Sequence, residues 1–414
     1  MPARRTAIGR LVVIAAPILL AGGAATPAHG GRLNIYTEAP GVHRVRFEDL
    51  GAGTPAAEWM PSATLGLTTA GRPVPIHVND GGDGRFGPGD SFEFLAERLA
   101  GEFSPFNDHT PFNVYVLDPD AKAPARVVST ASRPGAASGA SASSSYRGVR
   151  RDERELLLLR FSDLRHGEVW YWTKLTYLDP EPFRHRFDLP GLDRGSTAPV
   201  KLKAVFRGLS QPTSKMAGVG DHRVDIVLNG RQVATGEWNG IVESRTVEVP
   251  GLSAASLHPD ENTLEIRVPA RPQTGGDPLV DVVALNWIEI DYPRTALVAD
   301  ERQERLVRPT TGESASNQLK NRSGRPIVAW SESGGRRHAG SRPRRAGQVY
   351  PQSFSGLSGE GAIWTVPEGA ELFPVAIEPV REAGLASPSR QADYVMIVHP
   401  RLRDAIEPLA RFHR

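Results

Sequence analysis

The amino-acid sequence predicts a mainly β protein, and three observations lead to that prediction. Short apolar runs of strand length recur along the chain and are separated by turn signals, which is typical of antiparallel sheets. Glycine and proline number 42 and 35 among 414 residues, and both exceed their usual share, as in turn-rich proteins. The clearest helical pattern lies close to the C-terminus, at Leu402–Phe412. A chain of this length has room for about two to four domains.

The first 28 residues predict a secretory signal peptide. Arg4, Arg5 and Arg10 precede an apolar run at Leu11–Leu20, and small residues follow up to a cleavage zone near Ala28. The apolar run is short for a bilayer span, although an uncleaved membrane anchor is the alternative. We therefore expect an exported protein (periplasmic, cell-surface or secreted) whose mature part has no membrane span.

Composition and motifs exclude several classes of function. The 49 basic and 47 acidic residues give a formal net charge of +2, which argues against a nucleic-acid binder. The absence of cysteine excludes disulfides, thiolate metal sites and a cysteine nucleophile within these 414 residues. No zinc-protease histidine pair, serine nucleophile elbow or phosphate-binding glycine loop is found. We therefore predict no catalytic residue and no enzymatic activity for the chain as it stands.

Residues 29–128 are predicted to form an N-terminal β domain. The segment 33–50 reads as two short strands around a turn, and Pro73–Val78, Phe92–Leu95 and Asn113–Leu117 add further strands. The segment 129–150 is rich in serine, alanine and glycine, which predicts a flexible linker or loop.

Residues 151–295 are predicted to form a jelly-roll β-sandwich. Strand-like runs such as Val200–Phe206, Val224–Leu228 and Val282–Ile290 are separated by turns. Asn229-Gly230 is a hairpin signal between two of these runs.

The remaining chain is predicted to contain a small β region at 296–390 and a partial α/β unit at 391–414. The small region carries a basic, glycine-rich loop at Gly334–Arg345, which is expected to be solvated, with contact to anionic lipid or a polyanion as the alternative. In the last segment a continuous apolar run, Tyr394–Val398, precedes the helix at Leu402–Phe412. A buried strand that leads into a helix indicates the truncated first strand and helix of an α/β domain.

One loop has the residue types and spacing of a calcium site. Asn79, Asp83 and Asp90 fall at positions 1, 5 and 12 of a calcium-binding loop, and Gly84 falls at position 6. Hard oxygen ligands on a glycine-turned loop are what Ca²⁺ requires, but Gly81 at position 3 supplies no side-chain ligand. The alternative is an Asx-rich turn between strands. Calcium is the one cofactor that the sequence suggests.

Tryptophans in the predicted sandwich are candidates for stacking on sugar rings. Trp170, Trp172, Trp238 and Trp287 could stack on sugar faces, and the first three are the predicted glycan-stacking residues. The alternative is that they belong to the core, as aromatic residues in the strands of a sandwich often do.

Six segments in order along the chain resemble the gingipain-like cysteine peptidases, a family that includes the sortase of the type IX secretion system. In that family the first five segments lie before the protease domain and include a jelly-roll-like β domain. The sixth resembles the first strand and helix of the caspase-like catalytic domain. The segments are Asn79–Asp90 with Phe92–Leu95, Thr110–Leu117, Val169–Leu175, His222–Gly230 with Glu237–Gly240, Val282–Arg294, and Asp393–Leu409.

The resemblance transfers no catalytic residue to this chain. The catalytic histidine and cysteine of the family follow that first strand, and His399 does not match the histidine motif. The resemblance thus implies the exported, non-catalytic N-terminal portion of such a peptidase, as a truncated product or one half of a split pair. Its expected role is to support, position or inhibit a separate or downstream protease domain. The alternative is a secreted jelly-roll module that binds surface glycan or protein.

Overall fold

A computed structural model of the full chain describes residues 31–51, 59–107, 109–132, 146–159, 167–179, 181–211, 219–241, 244–272, 278–308, 317–357, 361–381 and 395–413. Strands make up 49% of the chain and pair in several antiparallel sheets, so the predicted mainly β class is confirmed. The signal peptide predicted at 1–28 lies outside the described residues. None of the helices among the described residues is long and apolar enough to cross a membrane. The domain boundaries stay a prediction.

The N-terminal part consists of short, mostly antiparallel strands around an aromatic core. Phe86, Phe92, Phe94 and Tyr115 form a continuous chain of ring contacts, with centroids 5.8, 6.2 and 4.8 Å apart in that order. A 3₁₀ helix at Phe47–Leu50 follows the second strand. The strands are β1 (Leu33–Thr37), β2 (Gly41–Arg46), β3 (Met60–Pro61), β4 (Gly66–Thr69), β5 (Arg72–Val74), β6 (His77–Asn79), β7 (Arg85–Phe86), β8 (Ser91–Ala96), β9 (Asn113–Asp118) and β10 (Val128–Ala131).

The central part is a β-sandwich. Its strands are β11 (Tyr146–Glu153), β12 (Leu157–Leu158), β13 (Trp170–Tyr171), β14 (Thr173–Thr176), β15 (Phe183–Phe187), β16 (Val200–Gly208), β17 (His222–Leu228), β18 (Arg231–Trp238), β19 (Arg245–Leu252), β20 (Asn262–Arg267) and β21 (Val282–Arg294). The sheet β15-β20-β17-β18 faces the strands β14, β21, β16 and β19 across one apolar core. Asn229 and Gly230 adopt positive φ angles of 50° and 79° in the predicted hairpin turn between β17 and β18.

The last part adds seven strands and a helix. They are β22 (Glu304–Val307), β23 (Gln318–Asn321), β24 (Ile327–Ser331), β25 (Arg336–Ala339), β26 (Tyr350–Ser353), β27 (Ala362–Pro367), β28 (Ala376–Pro379) and α1 (Arg403–Phe412). A 3₁₀ helix at Pro400–Leu402 precedes α1, and another, Ala254–Ser256, lies in the central part between β19 and β20. Four of the seven strands, together with β10 of the N-terminal part, continue the sandwich sheet into one large sheet of order β10-β25-β24-β27-β22-β11-β21-β16-β19, in which β10 pairs parallel with β25. β11 joins the two halves because it pairs with both β21 and β22.

β28 returns to the beginning of the chain. It pairs antiparallel with β1, with Ile377 opposite Ile35, and so completes the N-terminal sheet. Just before it, Arg44 N donates to Leu372 O at 2.8 Å, and Leu372 N donates to Val42 O at 2.9 Å. The sheet that begins with residue 33 is therefore completed by residues from the last part of the chain.

Two expectations about the last part are wrong in detail. Arg336–Ala339, within the predicted solvated loop, form β25, and His338 is 2% exposed because its side chain faces the core of the large sheet. The described residues 395–398 of the predicted strand Tyr394–Val398 form no strand, and Val395 and Ile397 are 75% and 99% exposed. A strand needs a neighbour for its backbone groups, and none of the described strands lies beside this one. The helix predicted after it is present.

Candidate functional site

The acidic groups of the predicted calcium loop close turns in the structure. Asp83 Oδ1 accepts a hydrogen bond from Arg85 N at 2.8 Å, and Asp90 Oδ2 accepts one from Gly87 N at 2.7 Å. Asn79 ends β6, opposite Ser91 of β8. Within the described ranges, no group of three or more histidine, aspartate or glutamate side chains is placed to hold a metal ion. Calcium binding at Asn79, Asp83 and Asp90 stays a prediction.

The three predicted stacking tryptophans differ in exposure. Trp172 and Trp238 are 6% and 7% exposed and belong to the sandwich core. Trp172 contacts Phe183 edge-on, with centroids 5.2 Å apart. Trp170 is half-buried on β13, so among the three it is the one with appreciable surface for a ligand. Glycan stacking by this set stays a prediction, and in this conformation it would depend on Trp170.

A buried polar network that the sequence did not predict lies at one end of the sandwich. His222 opens β17, Asp281 directly precedes β21, and both side chains are fully buried. His222 Nδ1 lies 2.8 Å from Asp281 Oδ1, and Arg223 N donates to Asp281 Oδ2 at 2.8 Å. Arg271, after β20, donates from Nη2 to the same oxygen at 2.8 Å and from Nη1 to Gly220 O at 2.9 Å.

A histidine bonded to a carboxylate can act as a general base, but here the second ring nitrogen has no space for a substrate. His222 Nε2 is buried without a hydrogen-bond partner, and a Cβ atom at Gly208 would lie only 2.4 Å from it. The ring of Trp238 lies 5.0 Å from the imidazole. The network therefore ties β17, β20 and β21 together. One signal in the sequence could have indicated the network. His222 is two residues before Val224 in an alternating strand, so both side chains point to the buried face of β17.

Three glutamates lie close together where the loop before β9 meets the β12–β13 ribbon. Ser104 Oγ donates to Glu155 Oε1 at 2.6 Å, and Glu168 Oε1 accepts from Trp170 N at 2.7 Å. Burial raises the pKa of Glu153, and the charge of Glu155 adds to that effect. Burial also raises the pKa of Glu168, with Glu153 and Glu155 contributing. Arg151, whose Nη2 lies 2.7 Å from Glu153 Oε2, offsets part of the repulsion between these carboxylates.

Two surface cavities of about 470 Å³ each are large enough for a small ligand. The first opens at the edge of the sandwich and combines an apolar floor with charged walls. It is lined by Leu175, Thr176, Asp179, Glu181, Pro182, Phe183, Arg184, Asp225, Ile266, Arg267, Val268 and Pro269. The second lies beside the glutamates and is lined by Glu38, Arg98, Leu99, Pro105, Phe106, Asn107, His109, Thr110, Pro111 and Glu155.

Among solved structures, the crystal structure of dimeric latent PorU from Porphyromonas gingivalis is similar to this chain. The TM-score is 0.52 at 14% sequence identity, and the match covers 84% of this chain and 33% of the PorU chain. The likeness is one of fold. This chain spans about a third of the length of that structure. No known family profile and no curated protein matches the chain.

Two carbohydrate-binding modules match a smaller portion of the chain. One is the CBM36-1 domain of a multidomain xylanase from the hindgut metagenome of Trinervitermes trinervoides, with a TM-score of 0.22 and 11% identity over 34% of this chain and 96% of the module. The other is the module CBM36 in complex with calcium and xylotriose, with a TM-score of 0.21 and 13% identity over 34% and 98%. Scores this low carry no argument about fold or ligand.

Proposed function

We propose that this chain is an exported, non-catalytic N-terminal portion of a gingipain-like cysteine peptidase, which supports, positions or inhibits a protease domain. The observation that carries the proposal is the likeness in fold to PorU, which extends over 84% of the chain. The six sequence segments that resemble the gingipain-like family support it independently of the fold. Because these 414 residues contain no cysteine, they supply no cysteine nucleophile themselves.

The segment after β28 offers a surface that such a domain would use. Ile397 is 99% exposed, and Leu409 and Phe412 on α1 are 45% and 82% exposed. Exposed apolar side chains of this size are expected to be covered by a partner, since burying each one stabilises a complex by about 1.5–3 kcal/mol. In the family that the sequence resembles, this segment corresponds to the first strand and helix of the catalytic domain, on which the rest of that domain packs.

The experiment supplies a separately expressed gingipain-like catalytic domain in trans. We expect the chain to bind it and to change either its refolding yield or its peptidase activity. A rise in yield indicates support, and a fall in activity indicates inhibition. A variant with Ile397→Ser, Leu409→Ser and Phe412→Ser should bind at least tenfold more weakly, since about 1.4 kcal/mol corresponds to that factor.

Matched control substitutions lie on the sandwich, where Leu178 and Val280 are exposed to 71% and 49%. Changing both to serine should leave the binding of the catalytic domain unaltered. Absence of any binding in trans, or equal loss in both variants, would contradict the proposed role.

A secreted jelly-roll binding module is the second candidate function. The observation that favours it is the cavity at the sandwich edge, where Phe183 and Ile266 meet Arg184 and Asp225. Saturable binding of a surface glycan that is abolished by Phe183→Ala, without any effect on a protease domain, would favour this candidate over the first.

A further inference from the structure

Five exposed arginines lie on two neighbouring loops of the last part of the chain. Two of them flank the turn after β23, and three lie on the loop between β25 and β26. We call this set the arginine patch. It consists of Arg322, Arg325, Arg342, Arg344 and Arg345.

The two loops are held next to each other by backbone structure. β23 pairs with β26 so that Asn321 lies opposite Tyr350, and a Cβ atom at Gly324 would come within 3.0 Å of the Tyr350 ring. The second loop is fixed at its base, where Ser353 N donates to Ser341 Oγ at 2.9 Å. The arginines of the patch therefore lie on two loops that adjoin the paired strands β23 and β26.

Among the described residues, none of the patch arginines forms a salt bridge with a carboxylate, and the one nearby acid is Asp300, whose pKa the charge of Arg322 helps to lower. Two of the patch arginines bond to backbone oxygens, with Arg325 Nη1 donating to Asp300 O at 3.3 Å and Arg345 Nε donating to Gly347 O at 3.2 Å. The Asp300 carboxylate accepts from two backbone amides instead. Elsewhere arginines contact acids directly, for example Arg147 with Asp291 at 2.5 Å and Arg294 with Glu304 at 2.8 Å.

The charge of the chain is concentrated around this patch. Residues 320–350 contain eight lysines and arginines and one acid, whereas the whole chain carries a net charge of only +2. That acid, Glu332, is bound to Arg305. Like charges on neighbouring loops repel one another, and an anionic ligand relieves that repulsion.

We propose that the arginine patch binds the phosphate groups of an anionic phospholipid surface. Guanidinium groups bind phosphate oxygens through paired hydrogen bonds. A soluble polyanion such as single-stranded nucleic acid is normally bound in a groove lined with aromatic rings. The arginines of the patch lie on exposed loops instead, and the aromatic residue where the loops meet, Tyr350, is half-buried. Loops that stand out from the surface fit a flat, charged layer better. Each basic residue at such a layer contributes about 1 kcal/mol, or roughly a fivefold gain in affinity.

The test is co-sedimentation of the chain without its predicted signal peptide, residues 29–414, with vesicles of phosphatidylcholine alone or with about one quarter phosphatidylglycerol. We expect binding only to the anionic vesicles at ~0.05 M salt and its loss at ~0.5 M, where the screening length is a few ångströms. Replacing Arg342, Arg344 and Arg345 by glutamine should weaken binding roughly a hundredfold. Replacement of the same three by lysine should keep most of it.

The control variant replaces three exposed arginines elsewhere, Arg72, Arg186 and Arg231, by glutamine and so removes the same charge. It should bind like the wild type, and unchanged melting temperatures should show that every variant is folded. Lack of sedimentation of the wild type with anionic vesicles at low salt would overturn the proposal. So would equal weakening in the control, or binding to soluble heparin without binding to vesicles.

Discussion

Replacing Asp281 by alanine is expected to destabilise the sandwich more than any surface substitution. Asp281 is fully buried and accepts hydrogen bonds from His222, from Arg223 N and from Arg271, each at 2.8 Å. The variant would leave these donors without an acceptor, and one of them is a guanidinium group whose side chain is only 10% exposed. Breaking a buried pair in this way typically costs about 3–5 kcal/mol.

The assay is urea denaturation followed by tryptophan fluorescence, because Trp172 and Trp238 lie in the core that this network closes. We expect the unfolding free energy to fall by about 4 kcal/mol and the melting temperature by roughly 10 °C. Glu248→Ala is the matched control. Glu248 is an exposed acid on β19 of the same sandwich, so its loss should change the free energy by less than about 0.5 kcal/mol.

A second variant makes the reasoning refutable. If His222 and Asp281 form one network, the double variant His222→Ala with Asp281→Ala should be clearly less destabilised than the sum of the two single variants. An Asp281→Ala variant within about 1 kcal/mol of the wild type would refute the assigned role, as would strict additivity of the two changes.

Three further predictions concern other parts of the chain. Gly208→Ala should destabilise the sandwich by about 1–3 kcal/mol, because the new Cβ atom would lie 2.4 Å from the buried imidazole, whereas Gly361→Ala meets no atom within 4 Å and should be neutral in the same urea titration. Since the pKa values of Glu153 and Glu168 are raised in the folded state, the folded chain holds these protons to a higher pH than the unfolded chain does. The unfolding free energy should therefore decrease as the pH rises from about 4.3 through the folded-state pKa values. Replacing both residues by glutamine should make the melting temperature less dependent on pH in this range. An unchanged pH profile in that variant would contradict the assignment to Glu153 and Glu168. If the loop 79–90 binds calcium, millimolar Ca²⁺ should raise the melting temperature and EGTA should reverse the rise. A melting temperature that changes with neither addition would exclude the site.

Local patterns in the sequence were sufficient to predict several strands and one turn. The alternation in His222–Leu228 appears as buried and half-buried positions along β17, and Asn229-Gly230 forms the expected turn. Alternation specifies which side chains face inward, because successive residues of a strand point to opposite faces. The helical pattern near the C-terminus likewise produced α1.

Long-range pairing and burial could not be predicted from the same patterns. Nothing in β1 or β28 specifies that they pair, since a strand's partner depends on where the intervening chain places it. The apolar run Tyr394–Val398 was predicted to be a buried strand. A short apolar run has no periodicity that would distinguish a strand from other structures, and its burial depends on a neighbouring element that the sequence does not reveal. The network around Asp281 joins residues that are distant in sequence, so its separate members carried little signal.

The pairing of β28 with β1 sets an order of events for the newly made chain. The N-terminal sheet has an unsatisfied edge until residues 376–379 are available, so its completion has to wait for most of the polypeptide to be synthesised. Contacts between such distant segments also slow folding, because a long loop must close before any stabilising contact forms. If the chain is exported, as we propose, the delay would leave the early strands unpaired during passage through a translocation channel, and the sheet would form on the far side of the membrane.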